Sequence, residues 1–546
     1  MKRRISRDAL IQDIRELSTV LENAHPDPYI NGGGKLRYNR RLQKLIRDVP
    51  SSGMTEQEFF FYLQPFLAMI GDGHTSLVAD KSSFDRQNPR GLPLFFEPTT
   101  EGDLYVKAVT GEEYSHLIGC ILVSVEEVSF KELVRRQSKL IGSENAYQLL
   151  GVLGKDGSLF YKHYLKQLIP EWRTDHRISV VLRNPSGEEE THSFSSSANV
   201  TYPLIERDTK FNLPETSNPF FSFHFIGSGR ARDKNIALLR IENMMTYREA
   251  FEYWERSGSN LPWFTNHCRR VFQIYNDQEA PEDIGQAISG IPAVTEMFIE
   301  LFQEMRSRES QVLIVDLRNN SGGNDNMIPI LLYFLVGFDS TVSLLMNNAT
   351  VRKMSKYLQE ISAKGVELEK IPYSHLVPLT INDYDFSRDP SFSPADLRQA
   401  TVAELTWTFE KMPSFHKEFK SGKFESYYKP ERIVVLCSSQ TFSSGFNLMT
   451  YLYRIGALIV GIPSGQAGNS FGDNRTFELA HSKLWISFST KFFIAFPGDP
   501  KTGRLLMPHY PMTYEKLASY NFDRNAALLY ALEIVNSLNS KAEPAK

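Results

Sequence analysis

The sequence predicts an α/β fold with a β-rich module set into it, on three observations. Short β-branched runs, Ile433–Cys437 and Val312–Leu317, have the length and composition of strands buried on both faces. Helical patterns alternate with them: Phe446, Met449 and Tyr453 recur at helical spacing, and the run Ala457–Val460 then ends at Gly461, completing a strand, helix, strand unit. Between about Gly91 and Phe194 the rhythm changes to closely spaced short strands. The 546 residues therefore divide into an N-terminal helical region over 1–80, a β-rich module over 81–200 and an α/β core over 201–546.

Taken in order, residues 8–24 place Leu10, Ile14, Leu17 and Leu21 on one helix face, and the pattern stops before His25-Pro26-Asp27-Pro28, where two prolines forbid continuation. Thr55 with Glu58 three residues on is a capping box. It opens a helix whose buried stripe is Phe59, Leu63, Phe66 and Ile70, stopped by Gly71. His74 follows in the glycine-flanked turn GDGHT, just past a helix C-terminus whose carbonyl dipoles favour an imidazolium wherever they point at it. The β-rich module contains LPLFF, LYVKAV, CILVSVEEV and a hairpin turning at Pro-Ser-Gly; a helix-patterned insertion over about 144–172 interrupts it. Residues 195–233 read as a long connector. In the core, Asn235–Ile241 is a strand, Val294–Met305 is an amphipathic helix, and insertions at about 244–291 and 345–430 are rich in aromatics.

Ser443 falls at a strand-to-helix turn, where open parallel sheets place ligands and helix amides face an anion. The plain reading of Ser443 or Ser444 is a helix cap. A nucleophilic serine needs a base for its proton and amides for the oxyanion. The stretch from Asp316 to Asn324 follows a buried strand, and Gly322 and Gly323 leave their amides open to an anion, or else serve only backbone shape. His74 is the candidate base, against the alternative of a structural histidine. Asp72 shapes the turn, and Asp316 with Arg318 reads as a structural ion pair.

In order and approximate spacing, GDGHT, VLIVDLRNNSGG and TFSSGF with ALIVGIPSGQ resemble the C-terminal processing peptidase and tricorn-core family of serine proteases, as does the opening ENAHPDPY. The resemblance implies a crotonase/ClpP-like α/β core, a PDZ-like module over about 91–195 that engages substrate termini, and peptide-bond hydrolysis through an acyl-enzyme on Ser443. It implies an oxyanion hole from the amide of Ser444 with that of Gly322 or Gly323. The processing-peptidase branch activates its serine with a lysine from a glycine-rich stretch; here SGQAGNSFG has none, which implies the tricorn-like branch with His74 as base. That branch orients its histidine with a carboxylate after the serine. The matching stretch, PGDPKTGRLLMPHY, has no glutamate, leaving Asp499 as the substitute and Glu478 behind it.

Two other functions fit the scaffold: a non-catalytic protein binding a peptide or hydrophobic ligand, and a crotonase-type acyl-CoA enzyme. An α/β-hydrolase is disfavoured, since Ser443 lacks the G-x-S-x-G elbow. A net charge of -3 and a pI near 6.5 give no footprint for nucleic acid. Cys120, Cys268 and Cys437 are too scattered for a disulfide framework or zinc site, and no cofactor or metal is expected. The basic start precedes no apolar run of signal-peptide length, and Met327–Phe338 is too short to span a bilayer, so a soluble protein acting on peptides or unfolded proteins is expected.

Overall fold

The computed structural model describes the chain except residues 1–3, 79–91, 155–158, 160, 174–176, 196–203, 208–217, 228–235, 259–261, 347, 352, 354–393, 424–427 and 543–546. The fold is mixed α/β with several sheets. The central sheet has six strands in the spatial order Phe221–Ile226, Ile236–Ile241, Val312–Asp316, Arg432–Cys437, Leu458–Gly461 and Tyr510–Pro511. The first pairing is antiparallel and the other four are parallel. Alternation along the strands explains the two layers over it. Leu239, Leu313, Val315, Val435 and Ile459 face helices Val294–Ser307, Met327–Val336 and Ser444–Arg454. Leu238, Ile314, Val434, Leu436 and Val460 face Leu528, Leu532 and Val535 of helix Ala526–Ala542. Each fully buried Val, Leu or Ile contributes about 1.5–3 kcal/mol, so this two-sided core is a large part of the stability.

The capping box at Thr55 and Glu58 forms, and Phe59, Leu63, Phe66 and Ile70 are buried beneath it. Helix Arg7–Ala24 also forms, buries its expected face and ends at His25. Its Asp13 carboxylate is fully buried and accepts the backbone N–H groups of His481 and Ser482, at 2.9 and 2.7 Å. That contact docks the N-terminal helices onto a hairpin of Asn469–Glu478 and Trp485–Ile494, which the periodicity of the sequence does not announce.

The stretch 81–200, expected to be a β-rich module, supplies six strands of a seven-stranded antiparallel sheet, and the seventh, Ile205–Glu206, comes from the stretch expected to be a connector. CILVSVEEV is two strands, not one: Glu126 and Glu127 take φ of 48° and 64°, the paired positive angles of a tight hairpin turn, and Val128–Ser129 folds back on Ile121–Val125. The stretch expected to be a connector holds the strand Phe221–Ile226, whose backbone pairs with Ile236–Ile241 along its full length. Within the insertion at 345–430, helices Pro394–Glu410 and Pro413–Lys420 form, and residues 354–393 lie outside the described residues. Cys120, Cys268 and Cys437 are buried free thiols. Among the described residues no helix is long and apolar enough to cross a membrane.

Candidate active site

The parallel strands Val312–Asp316 and Arg432–Cys437 are neighbours in register, Asp316 opposite Leu436, so their following loops leave the same end of the sheet. Arg318 returns to Asp316 in a two-pronged ion pair at 2.9 and 2.7 Å, the structural role expected of it. Thr441 and Ser438 hydroxyls donate to the carbonyls of Leu317 and Arg318, tying the second loop to the first.

Ser443 stands at the N-cap position of helix Ser444–Arg454, yet its side chain caps nothing. Its φ of 51° and ψ of -128° are strained for a residue with a Cβ, a cost of about 1–3 kcal/mol. Hydrolases use such a sharp strand-to-helix turn to present a nucleophile. The Ser443 N–H donates to Oε1 of Gln466, whose amide in turn donates to the Ser470 hydroxyl at 2.9 Å. Gln466 belongs to the glycine-rich stretch without a lysine; it positions the serine backbone. The neighbouring Ser444 hydroxyl donates to the Gly323 carbonyl at 2.9 Å.

Gly322 and Gly323 adopt φ of 102° and 143°, open to glycine alone at little cost. A Cβ on Gly322 would sit 2.5 Å from the Ser443 Cβ and 2.8 Å from the Ser444 nitrogen, so the two loops touch backbone to backbone. The Gly322 N–H is already committed to Oδ1 of Asn320 at 2.9 Å. Gly322 is thereby the less available of the two candidate glycines for donation to an anion.

His74 reaches this place because its turn is fastened to the hairpin. Ser76 and Leu77 pair with Ser487 and Ile486, and the Ser489 N–H donates to the Thr75 hydroxyl at 3.3 Å. The imidazole packs 4.7 Å, centroid to centroid, from the ring of Phe442, the residue before Ser443. It is buried, and neither ring nitrogen makes a hydrogen bond of ordinary geometry, although the Phe471 backbone lies near enough to favour its charged form. Burial pushes the imidazole below its usual pKa, against the opposing pull of Asp72 and the Phe471 backbone; desolvation outweighs any charge-stabilising effect of the turn.

Asp72 is the anchor of the turn. Its Oδ1 accepts the His74 N–H at 2.8 Å, and its Oδ2 accepts from His25 Nε2 at 3.1 Å and the Thr75 hydroxyl at 2.5 Å. Burial alone would raise its carboxyl, but the His25 hydrogen bond and the charges of His25 and His74 hold it down at about 2.

The sequence region with these loops has counterparts: residues 284–490 match peptidase family S41. The match covers less than half of the chain and marks this segment as similar to S41 peptidases. No curated protein matches the chain. Among solved structures it is similar to mature CPAF, at 14% identity with 96% of this chain and 98% of that one covered and a TM-score of 0.52. A serine-to-alanine mutant of CPAF gives 15%, 96% and 98%, and 0.54. These likenesses concern the fold. A photosystem II D1 C-terminal processing protease matches at 12% identity over 94% of each chain with a TM-score of 0.40.

Asp499, the expected partner of the His74 base, is elsewhere occupied. Its carboxylate accepts the N–H groups of Lys501 and Thr502 and the Thr502 hydroxyl, capping the short helix Pro500–Arg504 in an exposed position. Glu478 ends a hairpin strand, with Lys483 at 3.8 Å. The acidic groups that face His74 are instead Asp72 and Glu144, with one atom from each of the three residues lying within 4.8 Å of the others. Glu144 enters from the start of the helical insertion. Its carboxylate accepts the N–H groups of Ala467 at 3.1 Å and Phe471 at 3.2 Å, and the amide of Gly73 also favours its charged form. Burial and the Asp72 charge nevertheless lift its pKa well above the ordinary range.

Asp72, His74 and Glu144 are the group among the described residues whose spacing suits a metal ion. Their donor capacity argues otherwise, since the Asp72 and Glu144 oxygens are spent on hydrogen bonds that a cation would have to break. Two recesses flank the serine turn. One, of about 570 Å³, separates the β-rich sheet from the core and is lined by Phe95, Glu97 and Lys107 on one side and Asn319, Ser438 and Gln440 on the other. The second, of about 220 Å³, lies along the helix after Ser443 and is lined by Asp325, Asn447, Thr450 and Phe493.

Proposed function

We propose that this chain cleaves peptide bonds through an acyl-enzyme on Ser443, with His74 as general base. The observation that carries the reading is the meeting of three distant segments: Ser443 abuts the Gly322 loop, and the His74 ring rests on Phe442. His74 Nε2 takes the hydroxyl proton as Oγ attacks the substrate carbonyl, and returns it to the leaving amine; water then releases the acyl group by the reverse use of the same base. The amides of Gly323 and Ser444 hold the oxyanion. A base pushed below its usual pKa is neutral, and so competent, at pH 7. In the resting site the imidazole and the hydroxyl are not hydrogen-bonded; such contacts commonly tighten only with substrate bound.

The division into a helical region over 1–80, a module over 81–200 and a core over 201–546 belongs to this proposal. So do a PDZ-like role for the antiparallel sheet and a crotonase-like description of the core. The cleft between them, lined by Lys107 and Gln440, is the proposed approach of an extended peptide from that sheet toward the serine turn. The strained, non-capping Ser443 favours hydrolysis over the ligand-binding and acyl-CoA alternatives, neither of which needs a presented hydroxyl. The test is fluorophosphonate labelling together with hydrolysis of a library of unfolded peptides. Wild type labels and cleaves, whereas Ser443→Ala does neither and His74→Ala is slowed by several orders of magnitude. Equal turnover in all three would reject the mechanism, and prior incubation with lactacystin, a ligand of mature CPAF, offers a competitor for the labelling.

A further inference from the structure

We infer that Glu144 is the positioning residue for His74, filling from upstream of the serine the role for which Asp499 is unsuited; this rests on the proposed serine mechanism. Glu144 lies at the point where the helical insertion meets two other segments. Its own N–H is held by Oε1 of Gln148 at 3.1 Å, while the amide of the same Gln148 donates to the Gly73 carbonyl at 3.3 Å. Asn145 donates to the Ser464 carbonyl at 3.0 Å. A Cβ on Gly142 would meet the Asp72 carbonyl at 2.7 Å, and one on Gly465 would meet the Gln148 Cα at 3.1 Å, so backbones are packed together on both sides of the glutamate. The insertion is thereby wedged between the turn that carries the base and the loop whose Gln466 holds the nucleophile's backbone.

Within that wedge the Glu144 carboxylate faces one charged group, Asp72, and one imidazole, His74; His25 lies behind Asp72 as its ion-pair partner. Asp72 is poorly placed to steer the ring. Although Oδ1 is 3.8 Å from His74 Nδ1, that oxygen accepts the His74 main-chain N–H and the other serves His25 and Thr75. Asp72 fixes the main chain of the turn, and Glu144, whose two oxygens are anchored by the Ala467 and Phe471 amides, holds its carboxyl group within 4.8 Å of the ring, beside the Phe471 backbone. When His74 takes the Ser443 proton, the positive charge appears beside Glu144. Its carboxyl group, held in place by the Ala467 and Phe471 amides, limits the ring's rotation and favours that imidazolium where it is ionised, which the raised pKa confines to higher pH, with no proton passing to Glu144.

The experiment compares wild type, Glu144→Gln and Glu144→Ala for fluorophosphonate labelling, kcat, KM, the pH profile of kcat/KM and thermal unfolding. Glutamine keeps an amide-accepting oxygen and most of the shape while removing the charge. The expected result is a fall in kcat of about 10- to 1000-fold for Glu144→Gln, less than the loss typical of a directly bonded triad carboxylate. KM should change little, and the acidic limb of the profile should move to lower pH because the raised Glu144 ionisation no longer contributes to it. Added formate should restore part of the turnover of Glu144→Ala. Wild-type kcat and an unmoved pH limb in Glu144→Gln would overturn the inference. So would a loss in Glu144→Ala that tracks unfolding and does not respond to formate while Glu144→Gln remains fully active, because Glu144 would then be only a staple between backbones. Failure of wild-type Ser443 to label would instead reject the serine mechanism beneath it.

Discussion

Replacing Gly322 with alanine tests the contact between the glycine loop and the serine turn, and its size can be worked from the backbone. At φ of 102° an L-residue is strained by about 1–3 kcal/mol wherever it stands. The added Cβ would also lie 2.5 Å from the Ser443 Cβ, 2.8 Å from the Ser444 nitrogen and 2.9 Å from the Phe442 carbonyl oxygen. Relieving that overlap requires the loops to part by about 1 Å, at a further cost of about 1–3 kcal/mol. The atoms displaced carry the nucleophile and one of the proposed oxyanion amides, and a misplacement of that size costs about 100-fold in rate. Gly456→Ala is the control, because Gly456 has φ of 93°, a methyl group there would meet nothing within 4 Å, and the residue lies at the far end of the same helix. The assay is peptide turnover beside thermal unfolding for both variants. Gly456→Ala should lose stability and keep kcat, and Gly322→Ala should lose both. Turnover in Gly322→Ala within about threefold of the control would show that the two loops do not act as one site.

Three further outcomes follow from the charges. The acidic limb of kcat/KM should have its midpoint below pH 6.5, since burial disfavours the protonated His74 and the base stays neutral to lower pH; a limb above pH 7 would contradict this. Glu249 is buried, accepts the N–H groups of Val294 and Thr295 at 3.0 and 2.9 Å, and is pushed up to about 7 chiefly by burial. A carboxyl raised in the folded state is stabilising when protonated, so wild type should lose up to about 3 kcal/mol as pH rises from about 4.5 to 7. Glu249→Gln should show a flatter dependence over that window in denaturant titrations, and an identical slope would refute it. Incubation with EDTA should leave turnover within about twofold of untreated enzyme, because the oxygens of Asp72 and Glu144 are already committed to hydrogen bonds; loss of activity restored by a divalent ion would show otherwise.

What is legible in the sequence is what is local. The strand runs beside Asp316 and Ser443 and the helix after Ser443 are fixed by composition and period, and once both strands lie parallel in one sheet their loops must emerge together. The N-terminal capping box is equally local. The carboxylates around His74 are not. Glu144 just before a helix has the look of a helix-terminal acid, and nothing near it in the chain reveals that its acceptors are met by Ala467 and Phe471. Asp499 misleads for the opposite reason: Asp499 followed by Pro500 is a helix-start signal, and the structure honours it. The hairpin that carries His74 into place leaves no clear period in the sequence because its strands mix buried and exposed positions irregularly, as in Asn469–Glu478.

The resting geometry of His74 makes sense as a balance between local cost and a rigid surround. A buried imidazole without a hydrogen-bond partner costs about 1–3 kcal/mol for each unsatisfied nitrogen, and the Ser443 backbone adds strain of similar size. Neither would persist if the turn could relax. It cannot, because Asp72 holds its backbone from within, Ser76 and Leu77 bind it to the hairpin, and Asp13 binds the same hairpin to the first helix. The cost is thus confined to the His74 ring and the Ser443 backbone. In the proposed mechanism a peptide carbonyl entering beside them draws the hydroxyl toward the ring and the developing oxyanion toward Gly323 and Ser444. The imidazole thereby gains its missing partner while the Ser443 backbone keeps its strained angles, so part of the binding free energy appears only as reaction begins.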